Sequence, residues 1–388
     1  MPDRKKISLI TSDFSNNCFG RTWLLAGLLK NVYDIEVIGP AFGDGIWDPL
    51  KNSCDFPLKI FKGSPDGRFS IKKMLKEITG DIIYANKPLM TSFGVGLVKK
   101  FLSRKPLILD VDDWEPGFGR SLYDSLPWYK KLNDFRKSIL NFRTYYYTVI
   151  LDRLIFLADA VTTSGYVLKS KYGGTVIWHG RDPDVLEPTG YNCTELRQKY
   201  PYLPEDAYVA GFIGTPRPHK GIEDIIDALE ILRNKRIFLF IVGMDKSEYC
   251  SNLVKRINSS DVKDNIVLFN QQPMEKLPEY LAVSDLVIIP QRKDSSSYGQ
   301  VPAKIFDAMA MARPVISTTL YDIPQILKDC GWLVEPENPG LLAEKIIHVI
   351  NHPEEARKKG IKARERFIND FSWDILREKL IPVIEGLD

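Results

Sequence analysis

Short apolar runs rich in β-branched residues alternate along the chain with longer stretches whose apolar positions recur every three or four residues. That alternation is the signature of βαβ units and parallel sheets. A first series of runs lies at residues 7–11 (ISLIT), 35–40 (IEVIGP), 81–85 (DIIYA), 106–111 (PLILDV), 160–164 (AVTTS) and 175–178 (TVIW). Amphipathic segments such as RTWLLAGLLK separate them. A second series follows at 208–214 (YVAGFIG), 237–243 (IFLFIVG), 265–270 (NIVLFN), 285–290 (DLVIIP), 314–318 (PVIST) and 331–336 (GWLVEP). Two doubly wound α/β domains are therefore expected.

Between the two series, residues 180–206 hold Pro183, Pro188, Pro201 and Pro204 and no strand-like run, so the boundary belongs there. The expected domains are 1–182 and 207–370, with a last helix over 371–388 returning to the first. A length of 388 residues supports two cores. Ligands of such folds bind beyond the carboxyl ends of the strands, so two facing domains are expected to form one cleft.

Composition narrows the function classes. Lys+Arg 53 against Asp+Glu 50 leaves +3, too even for nucleic acid to be the main partner. The five cysteines (Cys18, Cys54, Cys193, Cys250 and Cys330) never stand at a C-x-x-C spacing, which fits reduced thiols better than a disulfide framework or a thiolate metal site. The first residues run into a polar segment too early for a signal peptide, and no apolar run is long enough to span a bilayer. A cytoplasmic protein is expected, at most peripheral on the inner face of a membrane.

The richest segment is SSSYGQVPAKIFDAMAMARPVIS at 295–317. A Ser/Gly loop meets Pro302, which suits the first position of a helix running to Met311. The backbone N–H groups of Gln300 and Val301 are expected to lie free at that helix start, where the dipole favours an anion. Lys304 in the first turn makes sense beside a bound phosphate, and Asp307 one turn on offers a carboxylate to paired hydroxyls such as a ribose. The segment resembles the signature of retaining glycosyltransferases of family 4, which have the GT-B fold. AMAMARPVI matches that signature, and Asp307 takes the place of its second glutamate, the ribose ligand. Gly299 stands where many members have the first glutamate, which contacts the donor sugar.

A second segment, GFIGTPRPHKGIEDIIDALEIL at 211–232, reads as strand, Pro-bounded loop and amphipathic helix, an arrangement that cradles phosphate. It resembles the same family's KG motif, in which a lysine and a preceding arginine hold the nucleotide diphosphate. Lys220 matches that lysine, and Arg217 stands closer to it than the family's arginine does. By the same resemblance the loop from Asn270 to Pro273, with Gln271, frames the nucleobase through its backbone.

In the first domain, the loop after the first strand ends at Gly20, which opens a helix and lets backbone approach a pyrophosphate. LILDVDDWEPGFG places Asp110, Asp112 and Asp113 at a strand end. Asp112 falls where relatives have a histidine. These carboxylates suit hydrogen bonds to an acceptor or donor hydroxyl, service as a general base, or plain capping of loop and helix. A D-x-D metal site is not expected, because GT-B enzymes as a class generally do without one.

Residues 128–153 carry six Lys/Arg and two Asp, a net of +4, with apolar and aromatic residues at helical spacing. They read either as a stripe packed on its own domain or as a surface meeting anionic lipid. Taken together, the resemblance implies transfer of a sugar from a UDP- or GDP-sugar to the hydroxyl of a sugar or lipid-linked acceptor, with retention. Asp112, Asp113 and Lys220 would serve the chemistry, and Gly20, Arg217, Lys220, Gln271, Gln300, Val301, Lys304 and Asp307 would hold the donor. A non-catalytic two-domain ligand-binding protein and a GT-B sugar-nucleotide epimerase are the alternatives.

Overall fold

The computed structural model describes residues 4–65, 67–131 and 141–387. The chain divides into two compact units, 1–179 with 295–301 and 376–388, and 180–294 with 302–375. The linear boundaries expected from the sequence contain no counterpart of the short 295–301 insertion into the first unit.

The first unit is built on a seven-stranded sheet: β1 (Lys6–Ile10), β2 (Asp34–Ala41), β3 (Leu58–Lys62), β4 (Ile82–Asn86), β5 (Leu107–Val111), β6 (Ala160–Thr163) and β7 (Thr175–Val176). Their spatial order is β3-β2-β1-β4-β5-β6-β7, and every pair is parallel. β4 and β5 are buried throughout, which is why they appear in the sequence as continuous apolar runs rather than alternating ones. β3 escaped that reading. Its LKIFK is half-exposed with two lysines, the composition of an edge strand.

The second unit carries β8 (Tyr208–Ile213), β9 (Ile237–Met244), β10 (Ile266–Asn270), β11 (Leu286–Ile289), β12 (Val315–Thr318) and β13 (Trp332–Val334), in the order β10-β9-β8-β11-β12-β13, again all parallel. Leu239 and Ile241 of β9 and Phe212 of β8 pack against Ile222, Ile225 and Ile226 of the helix Ile222–Leu232 to form its core.

Strand order reverses between β1 and β4 in the first unit and between β8 and β11 in the second. In open parallel sheets the loops leaving the strands on either side of such a switch diverge and leave a crevice. The loops that follow β1 and β4, and β8 and β11, are therefore where the topology leaves room for a ligand.

Two expectations change. The stretch 128–153 is not one continuous helix: 128–131 and Tyr145–Arg153 are helical, 141–144 are not, and Arg136 and Lys137 lie outside the described residues. Pro302 is the residue before the helix Ala303–Ala310 rather than its first member, with an extended ψ of 113°. Among the described residues no helix is long and apolar enough to cross a membrane.

Candidate functional site

In the first unit the chemistry gathers just past β4 and β5. Lys87 follows β4 in a left-handed conformation with φ of 70°, its N–H donating to the Asp110 carbonyl at 2.8 Å. Its side chain turns inward and is almost wholly buried, at 5% exposure. There the Nζ donates to Asp113 Oδ2 and Glu115 Oε1, both at 2.6 Å, and lies 3.0 Å from Asp112 Oδ1. The three carboxyl groups offer oxygens within 4.8 Å of one another, and the ammonium lies among them. Gln300 completes the group, its amide donating to Asp113 Oδ1 at 2.9 Å.

These contacts bear on one role expected for the aspartates, capping. The helix Glu115–Ser125 begins at Trp114 with no side-chain cap, so capping does not occupy Asp112 or Asp113. Burial pushes Asp112 up to about 7, helped by Asp113 and Asp110 and opposed by the Lys87 charge. Burial works against ionisation of Asp113 as well, but the Lys87 charge and hydrogen bond, with Gln300, hold it down at about 2. Two adjacent carboxyls thus differ: one is a fixed anion, and the other changes state near neutrality, which suits a group that takes up a proton.

Asp110 belongs to the frame instead. It is fully buried and gripped by the Arg21 guanidinium through Nε at 2.9 Å and Nη2 at 2.8 Å, with Thr162 and Asn86 donating to the same carboxylate. Arg21 also donates to the Ile177 and Trp178 carbonyls, tying the helix Phe19–Leu29 to the segment after β7. Gly20, one residue earlier, lies in that helix's first turn, and a Cβ there would meet only Trp47 at 3.6 Å.

In the second unit the loop after β8 carries Lys220 and the helix after β11 carries Lys304, which feels the charge of Lys220. Gly214 ends the strand at φ of 137°, and a Cβ built there would lie 3.2 Å from Lys304 Nζ. The Lys304 ammonium sits 3.5 Å above the centre of the Phe212 ring. It is 7% exposed and has no hydrogen-bond partner among the described residues. Burial, and next the neighbouring charge of Lys220, push it well below the ordinary lysine range, and Asp307 restores only part. Lys220 ends a short 3₁₀ turn, Pro218–Lys220. The chain then needs Gly221, whose φ is 66° and where a Cβ would fall 2.1 Å from the Pro290 carbonyl oxygen.

The remaining expected residues are already engaged. Asp307 is buried with Arg181, whose Nε lies 2.7 Å from Oδ1, and burial raises its carboxyl despite that partner. Arg217 pairs with Asp245 at 2.9 Å. The Gln271 N–H donates to the Met244 carbonyl at 3.1 Å. The Gln300 N–H is not free at a helix start as expected, because it donates to Ser297 O at 3.0 Å in a turn of the 295–301 insertion. Gln300 and Val301 are counted with the first unit, and Lys304 and Asp307 with the second.

Lys87, Glu115, Arg21 and Arg181 were not singled out from the sequence. The signal for Lys87 was its place, one residue beyond an apolar strand in YANKPLM. Glu115 stood within the quoted acidic segment, and Arg181 within the link out of β7.

Lys220 and Lys304 both lie in the part of the chain that is similar to known proteins. Residues 194–366 match the glycosyl transferases group 1 family. The match lies almost wholly in the second unit. An uncharacterized glycosyltransferase of Methanocaldococcus jannaschii is 30% identical over 169 residues, 42% of this chain and 44% of that protein. The capsular polysaccharide biosynthesis glycosyltransferase CapM of Staphylococcus aureus is 28% identical over 238 residues, 58% of each. The chain spans about half the length of the curated relatives it matches. Among solved structures, Anabaena HepE in complex with UDP-glucose superposes with a TM-score of 0.75 at 18% identity, covering 98% of this chain and 99% of HepE. WaaG, a glycosyltransferase involved in lipopolysaccharide biosynthesis, gives 0.66 at 16%, covering 98% and 100%. The matched family and these relatives are glycosyltransferases, and the fold of this chain is the GT-B fold of two Rossmann-like units.

Proposed function

We propose that the chain is a retaining glycosyltransferase that moves a sugar from a nucleoside-diphosphate sugar, UDP- or GDP-linked, to an acceptor hydroxyl in polysaccharide, glycan or glycolipid synthesis. The observation that carries the reading is Lys304: a buried ammonium without a hydrogen-bond partner among the described residues, in the first turn of a helix and within reach of the Lys220 charge. Such a group is costly unless an anion arrives to meet it. A diphosphate supplies that anion, and its charge grows as the sugar–phosphate bond breaks, so Lys304 and Lys220 stabilise the transition state more than the ground state. Asp307, held by Arg181, takes the ribose hydroxyls. The loop at Gln271 borders the base, and Arg217, paired with Asp245, supports the phosphate loop.

In the first unit Asp112 and Asp113 take the acceptor, Asp113 as a fixed anion that orients a hydroxyl and Asp112 as the group that receives a proton. No side chain is required as a nucleophile: the acceptor oxygen attacks the anomeric carbon on the face from which the diphosphate departs, and the acceptor's one proton goes to Asp112. The donor named in the HepE complex, UDP-glucose, and the polysaccharide work named for CapM favour this substrate class. A lipid-linked acceptor would suit the exposed Trp128 and Tyr129 beside Lys130.

The test is incubation with a panel of UDP- and GDP-sugars, with and without sugar acceptors, following release of nucleoside diphosphate and the anomeric configuration of the product. Acceptor-dependent release with retention supports the reading. Interconversion of the donor sugar without transfer would identify an epimerase, and tight binding without turnover a binding protein.

A further inference from the structure

Lys87 has no part in the reading above, yet it is among the most constrained residues of the first unit. Its backbone is in the left-handed region, which is unfavourable for a non-glycine residue and persists only where surrounding contacts hold it. Those contacts are in place: its N–H goes to Asp110 O, its carbonyl accepts from Leu89 N at 2.8 Å and from Ser92 Oγ at 2.8 Å. The unusual backbone directs the side chain under the loop after β5, where the ammonium meets three carboxyls. A lysine serving only stability needs one carboxylate. Here one cation faces three, so the group keeps excess negative charge at the strand end where an acceptor hydroxyl would be activated.

We propose that Lys87 is a positioning residue of the transfer reaction: its ammonium holds Asp113 and Glu115 in fixed rotamers and sets the charge beside Asp112, so that Asp112 is the carboxyl able to take the acceptor's proton. The proposal rests on the acceptor role given to Asp112 and Asp113. The charges that bear on Asp112 are Lys87 after β4, Asp113 beyond it, Asp110 on β5 and Arg21 on the helix after β1. Asp113 also feels His179 after β7 and the Gln300 amide, Glu115 feels Asp152, and the Cys18 thiol in the loop after β1 feels Lys87. With the others unchanged, loss of the Lys87 charge removes the strongest attraction opposing protonation of Asp112. Its midpoint must therefore move to higher pH.

The experiment uses the full chain with Lys87→Met and Lys87→Arg. Aspartate carboxyl ¹³C shifts are followed against pH, with Asp112 assigned by its disappearance in Asp112→Asn. In parallel, UDP release from UDP-glucose and GDP release from GDP-mannose are measured. The Met variant is expected to raise the Asp112 midpoint by about one pH unit or more, as removal of a neighbouring opposite charge does. The acid limb of turnover should move with it, and kcat should fall about 100-fold, the scale of a misplaced general base, with donor KM changed less than about threefold. The Arg variant, which keeps the charge, should return the midpoint to within about half a unit. Should Lys87→Met not fold, Lys87→Met/Glu115→Gln removes one uncompensated carboxylate and is read in the same way. An Asp112 midpoint that does not move in the folded variant overturns the proposal. Failure of the functional reading looks different: the wild-type chain releases neither nucleotide, while the carboxyl titration still reports whether Lys87 controls Asp112.

Discussion

Each unit of this molecule buries one lysine at the carboxyl end of its sheet, and the two are opposites. Lys87 has three carboxylates within 3.0 Å, whereas Lys304 has an aromatic ring and, among the described residues, no acceptor. Burial disfavours both charges. The carboxylates nonetheless lift Lys87 well above the ordinary lysine range, while Lys304 is left well below it. A buried cation whose partners are internal belongs to the frame of a site, and one whose partner is missing marks where a ligand's charge must enter. In the absence of bound anion, the two lysines also differ in what they do for stability: one is held by its surroundings, and the other works against them.

The largest effect should come from breaking the partnered side. Lys87→Met leaves one buried and two partly buried carboxylates without their cation and should cost about 3–5 kcal/mol of stability, read by urea unfolding. A loss below about 1 kcal/mol would mean that the cluster is solvated and the contrast between the units false.

Lys304→Met should behave the other way round. It removes an uncompensated charge, so stability should hold or rise, while turnover of the preferred nucleotide sugar falls by about 10²–10³, the scale of one transition-state donor. A variant that loses stability and keeps its activity would place Lys304 in the core rather than in the donor site.

The same lysine makes a pH prediction. Because its proton is held weakly in the empty site, binding of a diphosphate should draw one in, and UDP or GDP affinity should rise as pH falls below the ordinary lysine range. Calorimetry in buffers of different ionisation enthalpy measures that uptake directly; no buffer dependence would mean that Lys304 is already charged. Asp112 sets the opposing limb. With its carboxyl near 7, the deprotonated form gains with rising pH, so kcat should climb through about pH 7 and lose that limb in Asp112→Asn.

Smaller effects sharpen the donor side. Asp307→Ala should weaken a ribonucleotide by about tenfold or more and its deoxyribose analogues much less, since a site built for a hydroxyl discriminates against its absence. Equal losses would return the carboxylate to its pair with Arg181. Least of all, Lys130→Glu should weaken flotation with anionic vesicles by on the order of 1 kcal/mol, and less in high salt. Flotation indifferent to lipid charge would remove the membrane from the proposed partners.

Much of this was legible because parallel sheets write themselves into sequence as apolar runs: both sheets, twelve of the thirteen described strands, and the segments bearing Lys220, Lys304 and the aspartates could be placed by position alone. What was hidden depended on contact between distant residues. Lys87 joins Asp113 across 26 positions, and Gln300 reaches Asp113 across 187. Neither separation leaves a periodic trace. Asp110 stood in the sequence beside Asp112 and Asp113 at one strand end without a role of its own, and the Arg21 fork shows it to be structural. β3 was missed because a half-exposed edge strand has little apolar pattern to show.

The chain changes unit at four places, near residues 179, 294, 301 and 375. Recombination between relatives therefore cannot exchange one unit by a single cut near residue 180. A hybrid made that way would inherit 295–301 from the wrong parent, and with it the Gln300 amide that meets Asp113 and the Ser295 hydroxyl that donates to the Gly117 carbonyl at 2.9 Å. Functional chimeras of this scaffold should arise only when those seven residues travel with the first half of the gene, which makes the insertion a unit of inheritance with a sheet it does not adjoin in sequence.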